Sequence, residues 1–216
     1  MPDVILQNLP FLLHGLWTTI DLSLWTILGG TLLGAALGTI RFVRAPVLGT
    51  LSMLFIEFIR GTPLLVVLLI TYFALPALLG YRTTAYKAAL LGFVLFIGAY
   101  LAEDFRSGLR SVRPSLIQAA LATGLNRWQV LRLIVAPQAM RSVIPSVFNQ
   151  YVRLLKFTSV ASIIGVTELT GAALLVNARQ FHPIAILTTI AITYLVLCYG
   201  LSLVGRALYA HFGVKT

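Results

Sequence analysis

The sequence predicts an all-α integral membrane protein of about five transmembrane helices, with a polar helical segment between spans three and four. Three observations predict it. Of 216 residues, 59% are hydrophobic and only 10% are charged, whereas soluble domains carry about 25% charged residues. Apolar stretches of about 18 residues or more recur, the length a helix needs to cross about 30 Å of hydrocarbon. Alternation at period two, the mark of an outer-membrane barrel strand, is absent.

Span one is expected from Phe11 to Ile40. Its Gly29, Gly30, Gly34 and Gly38 offer a small-residue face for helix packing. Trp17, Thr18, Thr19 and Asp21 set its first turns at an interface, and Arg41 and Arg44 follow it before Pro46. Span two is expected from about Leu48 to Leu79, long enough to tilt or kink, with Gly61-Thr62-Pro63 as an internal breaker. A short loop, Gly80 to Ala85, leads to span three, about Tyr86 to Leu101, which continues as a polar helix through Glu103, Asp104, Arg106 and Arg110. Glu103 and Asp104 read as solvated caps pairing with Arg106 and Arg110. Pro114-Ser115 opens a polar segment that reaches Pro137. Span four is expected to begin near Arg141 and to reach Ile164. A connection bearing Glu168, Gly171 and Arg179 follows, then span five from Pro183 to about Leu208 and a tail with Lys215. With no low-complexity segment and no linker, residues 1–216 read as one transmembrane domain.

The charges orient these spans. The net charge is +10, but the cations cluster beside spans rather than forming a nucleic-acid surface, and no nucleic-acid partner is expected. Arg41, Arg44, Arg106, Arg110, Arg113, Arg127, Arg132, Arg141, Arg206 and Lys215 fall on one side of the predicted membrane, and Arg82, Lys87 and Arg179 on the other. The positive-inside bias puts the first group in the cytoplasm, the N-terminus outside and the C-terminus inside. Residues 1–10 carry no Lys or Arg, so the first span is expected to be retained rather than cleaved as a signal peptide. The single Cys198 makes no intrachain disulfide. No inverted repeat of the kind that marks many secondary transporters is visible.

The segment from residue 114 to 137 is the part with no use in lipid. Gln118, Leu121 and Leu125 recur at helical spacing, Gly124 breaks the helix, and Asn126-Arg127-Trp128 start another. Such a helix–turn–helix forms a compact knob for a soluble partner. A basic interfacial helix, anchored by Trp128 and snorkelling arginines, fits the same spacing.

Intramembrane charges point to a second site. Arg60 lies 12 positions into span two, roughly 18 Å deep at 1.5 Å per residue. Lys156 lies 15 positions into span four. Glu57 and Arg60 share a helix face, as do Arg153 and Lys156. Charges at that depth face a bundle interior or an aqueous cavity. Two roles fit: a pair that locks helices together, or a cavity in which cations meet a substrate carboxylate and Glu57 meets an ammonium. His14, His182 and His211 are isolated, and no metal-binding cluster or phosphate-binding glycine loop is present. A secondary transporter or channel without a motor also fits these features.

Several motifs carry a family resemblance. QAALATG (Gln118 to Gly124), closed distally by Leu133, Ile134, Val135, Ala136 and Pro137, resembles the EAA loop of ATP-binding-cassette importer permeases. EFIRGTPLLVVLL (Glu57 to Leu69), AYLAEDFRSGLRSV (Ala99 to Val112), RWQVLRLIVAPQAMR (Arg127 to Arg141) and KFTSVASIIGVTEL (Lys156 to Leu169) resemble the polar amino-acid, histidine–glutamine-type subfamily. The likeness covers about Leu12 to Tyr209. The chain departs from the pattern at Gln118 for the EAA Glu, at Pro114-Ser115-Leu116, at Ala136, at Phe157 beside Lys156, and at Val67.

The resemblance implies a permease subunit of an ATP-driven importer that carries a polar amino acid or similar small zwitterion inward by alternating access. Methionine or an organic cation are the alternative cargoes. It implies a bacterial cytoplasmic (inner) membrane location, a second permease chain (identical or paralogous), two ATPase subunits and a periplasmic or lipid-anchored binding protein. The chain itself is expected to be no enzyme and to hold no cofactor or metal, ATP and Mg sitting on the ATPase. ATPase coupling is expected at Gln118, Ala119, Ala120, Gly124, Asn126 and Arg127. The substrate cavity is expected at Glu57, Arg60, Thr62, Lys156, Thr158 and Ser159. Glu168 is expected before a short outer helix, either solvated or touching the binding protein.

Overall fold

Helices dominate the described residues, 2–43 and 46–212, of this computed structural model. Arg44 and Lys215, counted above among the coupling-side cations, lie outside the described residues. In chain order the elements are α1 (Pro2–Gln7), α2 (Leu9–Val43), α3 (Pro46–Gly61), α4 (Leu64–Leu79), α5 (Ala85–Arg110), α6 (Pro114–Ala122), α7 (Arg127–Ile164), α8 (Leu169–Gln180) and α9 (Pro183–Phe212). Four of them, α2, α5, α7 and α9, are long and apolar enough to cross a membrane, and α3 with α4 makes a fifth, broken span.

Small residues set the first packing event. Gly30, Gly34 and Gly38 of α2 are buried, and a Cβ on Gly34 would stand 2.6 Å from the Leu101 Cβ of α5. Only glycine lets the two backbones approach so closely. In lipid, where apolar burial drives little, such close contact is the main source of helix association. The glycine face expected of span one therefore packs on span three.

The second span breaks at the expected Gly61-Thr62-Pro63 site, where α3 and α4 meet at 110°. Pro63 (φ −58°, ψ 139°) has no N–H to give and forces Thr62 out of helical geometry. The Thr62 hydroxyl instead donates to the Phe58 carbonyl at 2.7 Å. The helix that carries the fourth span starts well before Arg141, so the basic run that reaches Pro137 and the span form one element. α7 runs unbroken from Arg127 to Ile164. Its Leu131–Val135 stretch widens into a π-helix immediately before Pro137, which relieves the clash of the proline ring with the Leu133 carbonyl. The last seven residues of α7, Thr158–Ile164, tighten into a 3-10 helix ended by Gly165.

Three clusters hold the bundle. Leu22, Ile56, Leu68, Phe93, Ile97 and Leu154 form the centre, joining α2, α3, α4, α5 and α7. At the end away from α6, Leu12 packs with Leu169, Ala172, Val176 and Ile186. At the α6 end, Val112, Ala120, Val130, Val135 and Ala139 make a separate small core.

Candidate coupling and translocation sites

The α6 end is a knob with its own capping chemistry. Pro114 opens α6 where its missing N–H costs nothing. Thr123 closes the helix, its hydroxyl donating to the Ala120 carbonyl at 2.7 Å. Gly124 then turns the chain at φ +89°, a conformation that side chains disfavour. Asn126 caps α7 through a reciprocal box: its Oδ1 accepts from the Gln129 N–H at 2.9 Å, and Gln129 Oε1 accepts from the Asn126 N–H at 2.8 Å.

The residues expected to couple separate by burial. Gln118, Ala119, Gly124, Asn126 and Arg127 are exposed, and Trp128 stands 68% exposed at the tip. Ala120 is buried in the knob's core, so it shapes the knob from inside rather than offering a contact. The knob's second helix is the first turn of α7 itself, and α7 also carries Arg153 and Lys156.

Two cations expected within the membrane, Arg60 and Arg153, meet on an aromatic ring. The Arg60 guanidinium lies 5.3 Å from the centroid of Tyr100, and that of Arg153 lies 5.9 Å from it. Cation–π contact at this range holds a guanidinium without a carboxylate. The expected Glu57–Arg60 pair is not formed, since the only ion pairs among the described residues involve Glu103. Glu57, Arg60, Arg153 and Lys156 are all exposed in the single chain. Thr62 is half-buried and spends its hydroxyl on Phe58. Thr158 is fully buried, donating to the Leu155 carbonyl, and Ser159 donates to the Lys156 carbonyl, each at 2.7 Å. The structure thus brings Arg60 to Arg153 through Tyr100, while Thr158 sits behind the face that Lys156 presents.

The remaining acids are occupied elsewhere. Glu103 pairs with Arg106 as expected but is part-buried and also held by a second helix. It accepts from Arg41 of α2 at 2.6 Å and from Arg106 on its own helix. Asp104 accepts from Gln150 Nε2 at 3.0 Å rather than pairing with Arg110. Glu168, expected to be solvated or at a partner's surface, is 0% exposed. It caps α8 by accepting from the N–H groups of Thr170 at 2.9 Å and Gly171 at 2.8 Å, and from the Tyr194 hydroxyl at 2.8 Å. Thr19 lies 3.5 Å from the same carboxylate and accepts from the Leu169 N–H at 3.0 Å. One buried carboxylate therefore ties α2, α8 and α9 together.

A bundle of about five spans with a polar knob at one end and unpaired cations on one face is the architecture of an integral membrane subunit. The chain belongs to the family described as binding-protein-dependent transport system inner membrane component, which it matches over residues 30–214. It is a multi-pass inner-membrane protein of a binding-protein-dependent transport system, with ATP hydrolysis on a separate subunit, and a motor-independent transporter or channel is set aside. It is 36% identical over 207 residues to the probable glutamine ABC transporter permease protein GlnP of Bacillus subtilis (strain 168), covering 94% of each chain. Among solved structures, an amino acid ABC transporter with histidines superposes with a TM-score of 0.89 at 26% identity, covering 96% of each chain. The inward-facing MetNI methionine ABC transporter superposes at 0.82 with 16% identity, over 96% of this chain and 99% of that one, a likeness of fold alone.

Proposed function

We propose that this chain forms half of the pathway of an ATP-driven importer for a polar amino acid, with glutamine the first cargo to test. The observation that carries the reading is the single helix α7. It begins at the knob and bears Arg153 26 residues after Arg127, about 40 Å along at 1.5 Å per residue. A push on the knob therefore reaches the cations through one helix, its π-turn at Leu131–Val135 and its Pro137 and Pro145 included. A second permease chain closes the exposed face of Glu57, Arg60 and Lys156, and two ATPase subunits engage the two knobs. A substrate-binding protein delivers cargo on the far side. The N-terminus lies outside and the knob in the cytoplasm, as the excess of arginine at the knob end favours. The unpaired cations receive the cargo carboxylate, and Glu57 its ammonium. ATPase closure and cargo binding bias one two-state equilibrium from opposite ends.

Proteoliposomes that contain the chain with its ATPase and binding protein, and enclose ATP, are expected to accumulate labelled glutamine. Arg60→Ala and Lys156→Ala should each cut substrate stimulation of hydrolysis by about tenfold, the loss of one charge-assisted hydrogen bond, with basal hydrolysis retained. Equal uptake by the chain alone, without ATPase or ATP, overturns the reading. Loss of basal hydrolysis together with yield in both variants assigns the cations to helix locking instead.

A further inference from the structure

A second cationic feature lies far from Arg60 and Lys156, beside the knob. A cavity of about 840 Å³ opens between the end of α5, α6, the start of α7 and the end of α9. Arg113 and Arg141 line it, together with the hydroxyls of Ser111, Ser115 and Ser142. Neither arginine has a carboxylate within 4 Å among the described residues. Tyr209 lines this cavity and also a second one, of about 540 Å³, between α7 and α9.

The second cavity is a groove running into the bilayer. Its α7 wall carries Pro145, Phe148 and Val152, which fall with Arg141 on one stripe at helical spacing. Its α9 wall carries Ser202, Gly205, Arg206 and Tyr209. At the deep end the helices touch, the Cys198 thiol lying 3.9 Å from the Val152 carbonyl. From Arg141 to Val152 is 11 residues, about 17 Å of helix. That matches one leaflet, about half of a 30 Å hydrocarbon core.

The geometry points to a site for one anionic phospholipid, its phosphate in the cavity of Arg113 and Arg141 and one acyl chain along the α7–α9 groove. Charge complementarity selects the headgroup, because basic pockets at the ends of spans recruit anionic lipid. The apolar stripe of Pro145, Phe148 and Val152 along the groove selects the tail. A soluble phosphate, or an acidic loop of the ATPase, fills the first cavity and leaves the second unoccupied. The proposal rests on the chain spanning a membrane and not on its cargo.

The test uses the purified permease–ATPase assembly, stripped of lipid in detergent and returned to nanodiscs of phosphatidylglycerol or of phosphatidylcholine. Native mass spectrometry counts the lipid retained per chain. Two arginines at a lipid surface set the expected preference for phosphatidylglycerol at about 30-fold, or about 2 kcal/mol at about 1.4 kcal/mol per tenfold. Arg113→Gln/Arg141→Gln should abolish that preference. Val152→Trp, which fills the groove and leaves both arginines in place, should reduce phosphatidylglycerol retention by itself. Basal ATPase activity of both variants checks that the assembly is intact. Equal retention of the two lipids by the unaltered chain overturns the proposal, as does full retention by Val152→Trp. Displacement of the lipid by inorganic phosphate assigns the cavity to a soluble anion and overturns it too. High-yield disulfide formation between two copies bearing Asn149→Cys, with Cys198 replaced by alanine, gives the groove to protein and has the same consequence.

Discussion

Removing the fully buried Glu168 carboxylate strands the part-buried N–H groups of Thr170 and Gly171 and leaves the Tyr194 hydroxyl only the Thr170 hydroxyl, at 3.1 Å. Unsatisfied buried donors and a lost helix cap cost about 3 kcal/mol together. Glu168→Ala is therefore expected to lower the midpoint of thermal inactivation in detergent, while Glu168→Gln, which keeps one accepting oxygen, recovers part of the loss. A midpoint unchanged in Glu168→Ala would show that the network carries no stability. At this scale the sequence exposes charges but not their partners. Arg60 and Lys156 stand out because depth follows from counting residues along a span. Glu168 reads as solvated because its neighbours in the chain form a link. Its partner Thr19 is 149 positions away, and the Arg41 that holds Glu103 is 62 away. Spacing along one helix carries no information about such contacts, and it also suggested a Glu57–Arg60 pair that Tyr100 replaces.

Among elements, the knob was the most legible because its signals are local. Pro114, Gly124 and Asn126 act within a few residues of themselves, and each sits where its backbone chemistry requires. Gly124 combines φ +89° with an N–H donated to the Leu121 carbonyl at 3.1 Å. Proline fixes φ near −65° and has no N–H. Gly124→Pro is accordingly expected to abolish ATP-driven uptake while the chain still inserts and reaches normal levels in the membrane. Normal uptake at normal expression would remove the knob from the coupling route. Element boundaries were less legible. The break at Pro63 was visible as a breaker but not as a 110° turn, since proline states what a helix loses and not where the next one points. The unbroken passage of α7 through Pro137 depends on a π-helix that hydrophobic periodicity does not signal.

For the whole molecule, composition and span length sufficed for the class, because hydrocarbon thickness leaves few solutions for a chain that is 59% hydrophobic. The order of spans and the glycine face of α2 followed from the same reasoning, but not that this face packs on α5. What closes the exposed cationic face was not legible, for a surface that faces a partner chain looks, residue by residue, like one that faces water. The central claim joins two statements: the knob lies in the cytoplasm, and the ATPase covers it. Labelling of Thr123→Cys with a membrane-impermeant maleimide, in a chain whose Cys198 is alanine, tests both at once. The account predicts no labelling of intact cells, full labelling of inside-out vesicles lacking the ATPase, and protection when the ATPase is added back. Labelling from outside the cell, or labelling undiminished by the bound ATPase, would contradict it.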